Sequence, residues 1–556
     1  MLQIKPNLEK LNQDDWWRGA VIYQIYPRSM KDTNGDGIGD LPGIIEKLDY
    51  IVDLGVDAIW ISPIFKSPMK DFGYDISNYR EIDPMFGTLE DFDQLLVKAH
   101  NLGLRVIIDQ VLSHTSDQHQ WFESSRKDKT NDKADWYVWA DPKDDGTQPN
   151  NWLSIFGGCA WHWEPRRQQY YLHNFLSSQP DLNFHNPEVR QASLDNIEFW
   201  LKRGVDGFRF DAINFCFHDA ALKDNPAKPV EKREGRGFSE DNPYAYQYHY
   251  HNNTQPENIE FIEEIRSLLD QYPGCVALGE ISSEDSLKTM AEYTEGNERL
   301  HMGYSFELLT DDFSATYIRK TVEKLESQMS NAWPCWAISN HDVKRVASRW
   351  IGDDLCQDKS KLFTALLCCL RGSVCTYQGE ELGLVEAEID YEDLQDPYGI
   401  AFWPNFKGRD GCRTPIPWDD GEQSAGFTQG KPWLPIPESH LKNAVSIQQN
   451  KQNSVLQSFK KFIAWRKKYP ALIQGEIKFL DATDPVISFL RSSEQQTLVL
   501  FFNLSNEIQT IKLSEILESE SSLSEDYSHS LNSGNISQNI LSLDAFGFYF
   551  GELIIK

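Results

Sequence analysis

The chain has 556 residues, long for one domain, and two or three domains are expected. Its formal net charge of −30 at pH 7 repels nucleic acid and anionic lipid, so neither is an expected partner. No run of about 18 apolar residues is present, and the opening Met1-Leu2-Gln3-Ile4-Lys5-Pro6-Asn7 has no apolar leader core, so the expected setting is cytoplasmic, away from membranes. The nine Cys include Cys368-Cys369 within the apolar run Leu362 to Leu370, which reads as a buried helix with reduced core thiols, not a disulfide framework.

Along the chain, β-branched runs alternate with amphipathic stretches. Expected strands are Val21–Tyr26, Ala58–Ser62, Arg105–Asp109, Gly207–Asp211, Val276–Gly279, Tyr304–Leu308, Cys335–Ser339 and Val374–Gln378. Between the first two, Ile44, Ile45, Leu48, Ile51 and Val52 fall at helical spacing within Leu41–Leu54. Pro187–Arg203 and Pro256–Gln271 are equally periodic and open on a Pro, whose missing N–H costs nothing in a first turn. Strand-then-helix units in this number predict a (β/α)₈ barrel; a doubly wound open sheet would need fewer strands.

The spacing predicts a barrel over 1–111 and 184–471, interrupted by an excursion domain over 112–183. Further insertions, 212–256 and 386–435, also follow strands, so they would crowd the barrel's C-terminal mouth. The tail 472–556 alternates, notably at Thr497–Asn503 and Phe546–Ile555, and predicts an antiparallel β-domain with Ser514–Ser533 as a loop.

Three carboxylates end apolar runs: Asp211 in Gly-Phe-Arg-Phe-Asp, Glu280 after Val-Ala-Leu-Gly, and Asp342 in Asn-His-Asp. Carboxylates are poor strand residues and are seldom buried without partners, so this pattern marks a site. Several carboxylates around one cationic centre suit glycosidic bond cleavage through an oxocarbenium-like transition state. Arg209 shares a strand face with Asp211 and would keep it ionised. Alone, that pair would read equally well as structural.

These motifs, with Trp17-Arg18-Gly19-Ala20-Val21-Ile22-Tyr23-Gln24, resemble the α-glucosidases of glycoside hydrolase family 13, the α-amylase superfamily, over nearly the whole chain. The resemblance implies a barrel with an inserted domain after strand three and a C-terminal β-sandwich. It implies Asp211 as nucleophile, Glu280 as acid/base and Asp342 as the third carboxylate, with His341 bonding sugar hydroxyls. Asp109 to His114 resembles the family's first conserved region, with Ser113 in place of the usual Asn; His114 would touch the 6-hydroxyl and Asp109 would support the site. In Gly73-Tyr74-Asp75, Tyr74 would stack on glucose and Asp75 would bond its terminal hydroxyls. Phe156 and Phe175 are expected pocket walls, Arg209 is counted with the substrate-binding set, and Arg409 would reach the sugar, with Arg413 the alternative. Ala212, following the nucleophile, would border the leaving-group side; a Val there goes with α-1,6 cleavage.

Asp32-Thr33-Asn34-Gly35-Asp36-Gly37-Ile38-Gly39-Asp40 alternates oxygen ligands as a hard-cation loop does, but Gly43 stands where an EF-hand needs its bidentate Glu. The resemblance implies Ca²⁺ on Asp32, Asn34, Asp36, the Ile38 carbonyl and Asp40; the competing reading is an Asx-rich turn. His249-Tyr250-His251 lacks zinc spacing, and no organic cofactor is implied.

The activity expected is a retaining, exo-acting α-glucosidase on short α-glucosides such as maltose, with sucrose a candidate and transfer a side reaction. Rivals are a sucrose isomerase, of whose charged loop Lys344-Arg345 is a faint echo, an oligo-1,6-glucosidase, an endo-amylase, and a non-catalytic transporter heavy chain, which the carboxylate triad disfavours.

Overall fold

The computed structural model describes residues 15–233, 242–329, 332–351, 357–517, 521–523 and 532–555. The opening segment Met1 to Asn7 therefore lies outside the described residues. Eight parallel strands close into a barrel: β1 (Val21–Ile25), β2 (Ala58–Ile61), β3 (Arg105–Val111), β4 (Gly207–Asp211), β5 (Val276–Ile281), β6 (Met302–Ser305), β7 (Pro334–Trp336) and β8 (Ser373–Tyr377), with β8 pairing back to β1. This is the (β/α)₈ architecture the alternation predicts.

Period two sorts each strand's side chains. Ile22, Trp60, Ile107, Leu278, Tyr304 and Cys375 fill the barrel interior, whereas Tyr23, Ile59, Ile108, Phe208 and Ala277 pack outward in the core beneath the helices. Gly207 opens β4 at φ 152°, and a Cβ there would meet the Val276 carbonyl oxygen at 2.3 Å, so this close approach needs glycine.

The helix Leu41–Asp53 starts where Asp40 accepts from Gly43 N–H, and Pro187–Arg203 starts on Asn186 and stops at Gly204 in the left-handed region. The helix expected from Pro256 begins at Asn258, because the Ile259 N–H reaches back to the Pro256 carbonyl and makes the entry a tight turn. The sixth and seventh strands stop at Ser305 and Trp336, short of the expected ends. Beyond them the chain turns over the mouth, with Leu309 N–H bonding Phe306 O and Val346 N–H bonding Ser339 Oγ.

After β3 comes a small three-stranded sheet of Trp139–Ala140, Gln169–Leu172 and Trp161–Glu164, with its own core around Trp152 and Trp161. The C-terminal domain pairs Glu476–Phe479, Val486–Ser492, Thr497–Asn503, Phe548–Ile555 and Ser521–Leu523 in one sheet, faced by a three-stranded sheet. Within the stretch expected to be a loop, Leu513–Ile516 is a helical turn and Ser521–Leu523 a strand; 518–520 and 524–531 lie outside the described residues.

One buried arginine, Arg491, ties this domain to the barrel, and a second, Arg466 at the end of the helix Val455–Arg466, braces the barrel just before the domain begins. Arg491 Nη1 donates to the carbonyls of Cys369 and Leu370 at the end of the helix Gln357–Cys369, at 2.6 and 2.9 Å. Arg466 Nη2 donates to Gly19 O and Gly372 O at 2.9 and 3.1 Å. All eight cysteines among the described residues are free. No helix there is long and apolar enough to cross a membrane.

Candidate active site

The three carboxylates meet at the C-terminal mouth of the barrel, in a cavity of about 500 Å³ that Asp211, Glu280 and Asp342 all line. Strand register explains the meeting. Asp109 on β3 stands opposite Arg209 on β4, and Gly279 on β5 opposite Phe210, which brings Glu280 beside Asp211. Arg209 is fully buried beneath them. Its Nη1 lies 2.6 Å from Asp211 Oδ1 and 2.9 Å from Asp109 Oδ1, and its Nη2 lies 2.6 Å from Glu280 Oε2. The expectation that Arg209 binds substrate is therefore corrected: sealed below the carboxylates, it serves their charge and position.

Glu280 Oε2 also accepts from Ala212 N–H at 3.1 Å. Burial, reinforced by the neighbouring Asp211 and Asp342 and opposed by Arg209, holds its carboxyl well above the usual range. Asp342 goes the other way. Burial opposes its charge, but His341 and the guanidinia of Arg409 and Arg413 hold it well below the usual carboxylate range. Arg409 Nη1 and Arg413 Nη2 stand 3.2 and 3.0 Å from Asp342 Oδ1. Burial pushes Asp109 up to about 7 against the pull of Arg209; its Oδ2 accepts from Trp60 Nε1 and Tyr74 Oη.

Tyr74, His114, Phe156, Phe175, Ala212 and Arg409 all line the cavity. His114 Nε2 faces the Tyr74 carbonyl at 3.0 Å and Nδ1 faces Ser113 Oγ at 3.0 Å, which makes Nε2 the protonated nitrogen. Burial lowers its pKa to about 4. Arg409 lies 5.3 Å from the Phe156 ring centroid and extends into the wall, whereas Arg413 turns back to donate to the His341 carbonyl at 2.7 Å.

Two further expectations are corrected. Asp75 is wholly buried, and its carboxylate is taken up by the N–H groups of Lys70 and Asp71 and by Ser67 Oγ, so it fixes the turn and does not face the cavity. Asp71 faces it instead, with Oδ1 2.9 Å from Arg409 Nη2. His341 is also wholly buried: Nδ1 meets Gln24 Nε2 at 2.7 Å, and Nε2 meets Tyr74 Oη at 2.6 Å and Asp342 Oδ2 at 3.2 Å. It braces Tyr74 and Asp342 from behind, and its ring stacks on Tyr74 at 5.3 Å.

Sequence reasoning missed Asp71, Asp396 and much of the outer wall. Asp396 accepts from Arg409 at Nε and Nη2, at 3.0 and 2.9 Å, but its place before Pro397 reads only as a helix cap, a role it also fills. Lys228, Tyr244, Tyr248, Tyr250 and Glu284 line the cavity from loops with no motif of their own.

In the loop Asp32–Asp40, Asp32 Oδ1 accepts from Asn34 N–H and Gly35 N–H, Asn34 Oδ1 from Asp36 N–H, and Asp36 Oδ1 from Ile38 N–H. Asp40 caps its helix and takes the Thr33 hydroxyl. Among the described residues no three acidic, His or Cys side chains gather closely enough to hold a metal ion. The all-oxygen donor set suits a hard cation; its present arrangement is a ladder of Asx turns.

Residues 24–475 match the model of the alpha-amylase catalytic domain. The chain is 53% identical to a probable alpha-glucosidase of Rhizobium meliloti (strain 1021), over 97% of each chain, and 38% identical to an oligo-1,6-glucosidase of Heyndrickxia coagulans, over 88% of this chain and 92% of that one. Among solved structures, an alpha-glucosyl transfer enzyme superposes with a TM-score of 0.94 at 64% identity, over 97% of this chain and 99% of that one. An isomaltulose synthase from Erwinia rhapontici superposes at 0.85 with 33% identity, over 97% and 99%. The chain is an enzyme of the alpha-amylase family, glycoside hydrolase family 13, and belongs to its α-glucosidase branch.

Proposed function

We propose that the enzyme is a retaining, exo-acting α-glucosidase that takes glucose from the non-reducing end of short α-1,4-glucosides, with sucrose a further candidate, by double displacement. The observation that carries this reading is the single guanidinium, Arg209, touching both Asp211 and Glu280 at 2.6 Å. Such bridging keeps the two carboxyls close, in keeping with the roughly 5–5.5 Å separation of retaining pairs. Asp211 attacks the anomeric carbon while Glu280 gives its proton to the departing oxygen; a glucosyl ester forms as the glycosidic bond breaks. The Ala212 N–H donates to Oε2 and the ion-pair contact of Arg209 Nη2 falls on the same oxygen, which leaves Oε1 to carry the proton. Water or a sugar hydroxyl then loses its proton to Glu280, bonds to the anomeric carbon, and frees Asp211.

Exo-action is supported by Asp71 and Arg409, whose ion pair closes the cavity beside Tyr74. The small Ala212 favours the 4-linked sugar. Transfer is favoured by the 64% identical structural neighbour, an alpha-glucosyl transfer enzyme. The isomerase reading has less support: Arg345 is buried, donates to the Gln378 carbonyl, and does not line the cavity. The test is rates on maltose, isomaltose and sucrose side by side, with the anomer of released glucose read by polarimetry. Release of the β-anomer, or a preference for isomaltose, overturns it.

Ca²⁺ in the loop Asp32–Asp40 is a second proposal, resting on the type of oxygen donors alone, since their three carboxylates do not gather here and the loop would have to close round the ion. Asp32, Asn34, Asp36, the Ile38 carbonyl and Asp40 would hold it, for stability and not for chemistry. Chelation followed by Ca²⁺ return should lower and restore the melting temperature; an unmoved melting temperature sinks the idea.

A further inference from the structure

Beyond the three carboxylates, the cavity runs along a wall built from the insertion after β4 and from the loop that leaves β5. Asn214 ties the root of the insertion to the Ser282 backbone, and Glu284 joins the two further out. Glu284, four residues past Glu280, places Oε2 2.8 Å from Lys228 Nζ and accepts from His249 N–H on Oε1 at 3.1 Å. Those two contacts gather separate parts of the insertion. Lys228 lies 5.2 Å from the ring centroid of Tyr248, and Tyr248 stacks on Tyr250 at 5.0 Å with 6° between the rings. His249 stacks on Tyr244 at 3.6 Å and meets its carbonyl through Nε2 at 2.8 Å. The side chains of Lys228 and Glu284 are 15% and 21% exposed, so the pair is less screened than a surface one.

We propose that Glu284 is the specificity-determining residue of the leaving-group half of the site: it fixes the Tyr244–Tyr250 wall to the strand that carries the acid, and so sets how often an acceptor sugar, not water, takes the glucosyl group. The inference rests on the double-displacement reading above. In the transfer step the acceptor hydroxyl gives its proton to Glu280, its oxygen bonds the anomeric carbon, and the ester bond to Asp211 breaks with its electron pair returning to the carboxylate. A wall held in place binds the acceptor and crowds out water; a loosened wall does neither.

The test uses the full chain with p-nitrophenyl α-glucoside as donor and excess cellobiose, which offers no α-glucosidic bond to cleave, as acceptor. Nitrophenol counts all turnovers and free glucose counts hydrolysis. Glu284→Ala should lower the transfer-to-hydrolysis ratio and raise the acceptor KM by about two- to fivefold, the reach of a partly buried ion pair. Glu284→Gln, which still accepts from His249 N–H, should fall between that variant and wild type. Inhibition by 1-deoxynojirimycin, which occupies the glucose end, should stay constant. Salt near ~1 M, where screening reaches about 3 Å, should reduce the wild-type ratio but not that of Glu284→Ala. Equal ratios in all three proteins overturn the proposal, as does an inhibitor weakened in step with the acceptor. A wild type that forms no transfer product at saturating acceptor also overturns it, whereas release of β-glucose overturns the double-displacement reading beneath it instead.

Discussion

The guanidinium of Arg209 holds Asp211 and Glu280 together from below the cavity, Nη1 on Asp211 Oδ1 and Nη2 on Glu280 Oε2, each at 2.6 Å. It is the main counterweight to the burial that raises the Glu280 pKa. Arg209→Lys offers one compact charge for two partners. Weakening that cation favours the protonated acid, so the alkaline limb of kcat/KM should move to higher pH. The value at the optimum should fall by about 10²-fold or more, because nucleophile and acid are both misplaced. A pH–rate profile with an unmoved alkaline limb counts against this role.

Asp211→Asn should fold normally and lose several orders of magnitude in turnover, since it removes the covalent step. Glu280→Gln should lose about 10²–10⁴-fold on maltose, and less on activated aryl glucosides whose leaving groups need no proton. Rapid-quench bursts separate the two steps; equal losses on both substrates would deny Glu280 the acid's role.

Asp71 and Asp75 should separate cleanly. Burial raises Asp71 to about 6 despite Arg409, so below that pH it takes a proton and loosens its hold on the guanidinium. The KM should therefore rise on the acid side, and Asp71→Asn should raise it at all pH values and remove that dependence. Asp75→Asn should leave KM nearly alone and cost stability, about 1–3 kcal/mol, because its oxygens serve buried N–H groups. Substrate kinetics beside thermal melts distinguish the pair.

Stability should decline between about pH 6.5 and 8. Burial pushes Asp109 and Glu386 up to about 7, and Asp181 and Glu380 up to about 8. These groups hold protons in the folded chain that the unfolded chain has released, so their contribution is full at low pH and is lost as pH rises through 7 and 8. His114, His173 and His249, lowered by burial from 6.5 to about 4, act oppositely: their contribution is present above 6.5 and lost as pH falls towards 4. Above pH 6.5 only the first set still titrates. Glu380→Gln keeps the bond from Tyr377 N–H and should flatten the decline, by at most about 1.4 kcal/mol per pH unit. Denaturant titrations across this range would show a rise instead if the sign were wrong.

The barrel was readable because period-two and helical patterning are local, and each strand announces itself. Asp211, Glu280 and Asp342 were readable because a carboxylate ending an apolar run conflicts with its surroundings. Asp75 misled because it stands beside Tyr74 in the chain, whereas facing the cavity depends on a turn with Phe72 and Gly73 both at positive φ. Asp71, Asp396 and Glu284 stayed hidden because their partners, Arg409 and Lys228, are remote in sequence or lie on loops without periodicity. Ala212 sits at φ 39°, where a β-branched residue is strained, so Ala212→Val would disturb the N–H that serves Glu280 as well as the room beside it.

Arg491 reaches from the C-terminal sheet to the last carbonyls of the helix Gln357–Cys369, an end that has no other cation in its final turn. The catalytic-domain match ends at residue 475, in the sequence just before that sheet begins. A chain cut there would keep every reacting group and lose the plug on a helix that walls the barrel. Its last carbonyls would lose the Arg491 donor and the apolar face under Phe489 and Phe550 its cover. For anyone trimming, grafting or shuffling this enzyme, the tail is part of the foundation, and the natural cutting points lie elsewhere.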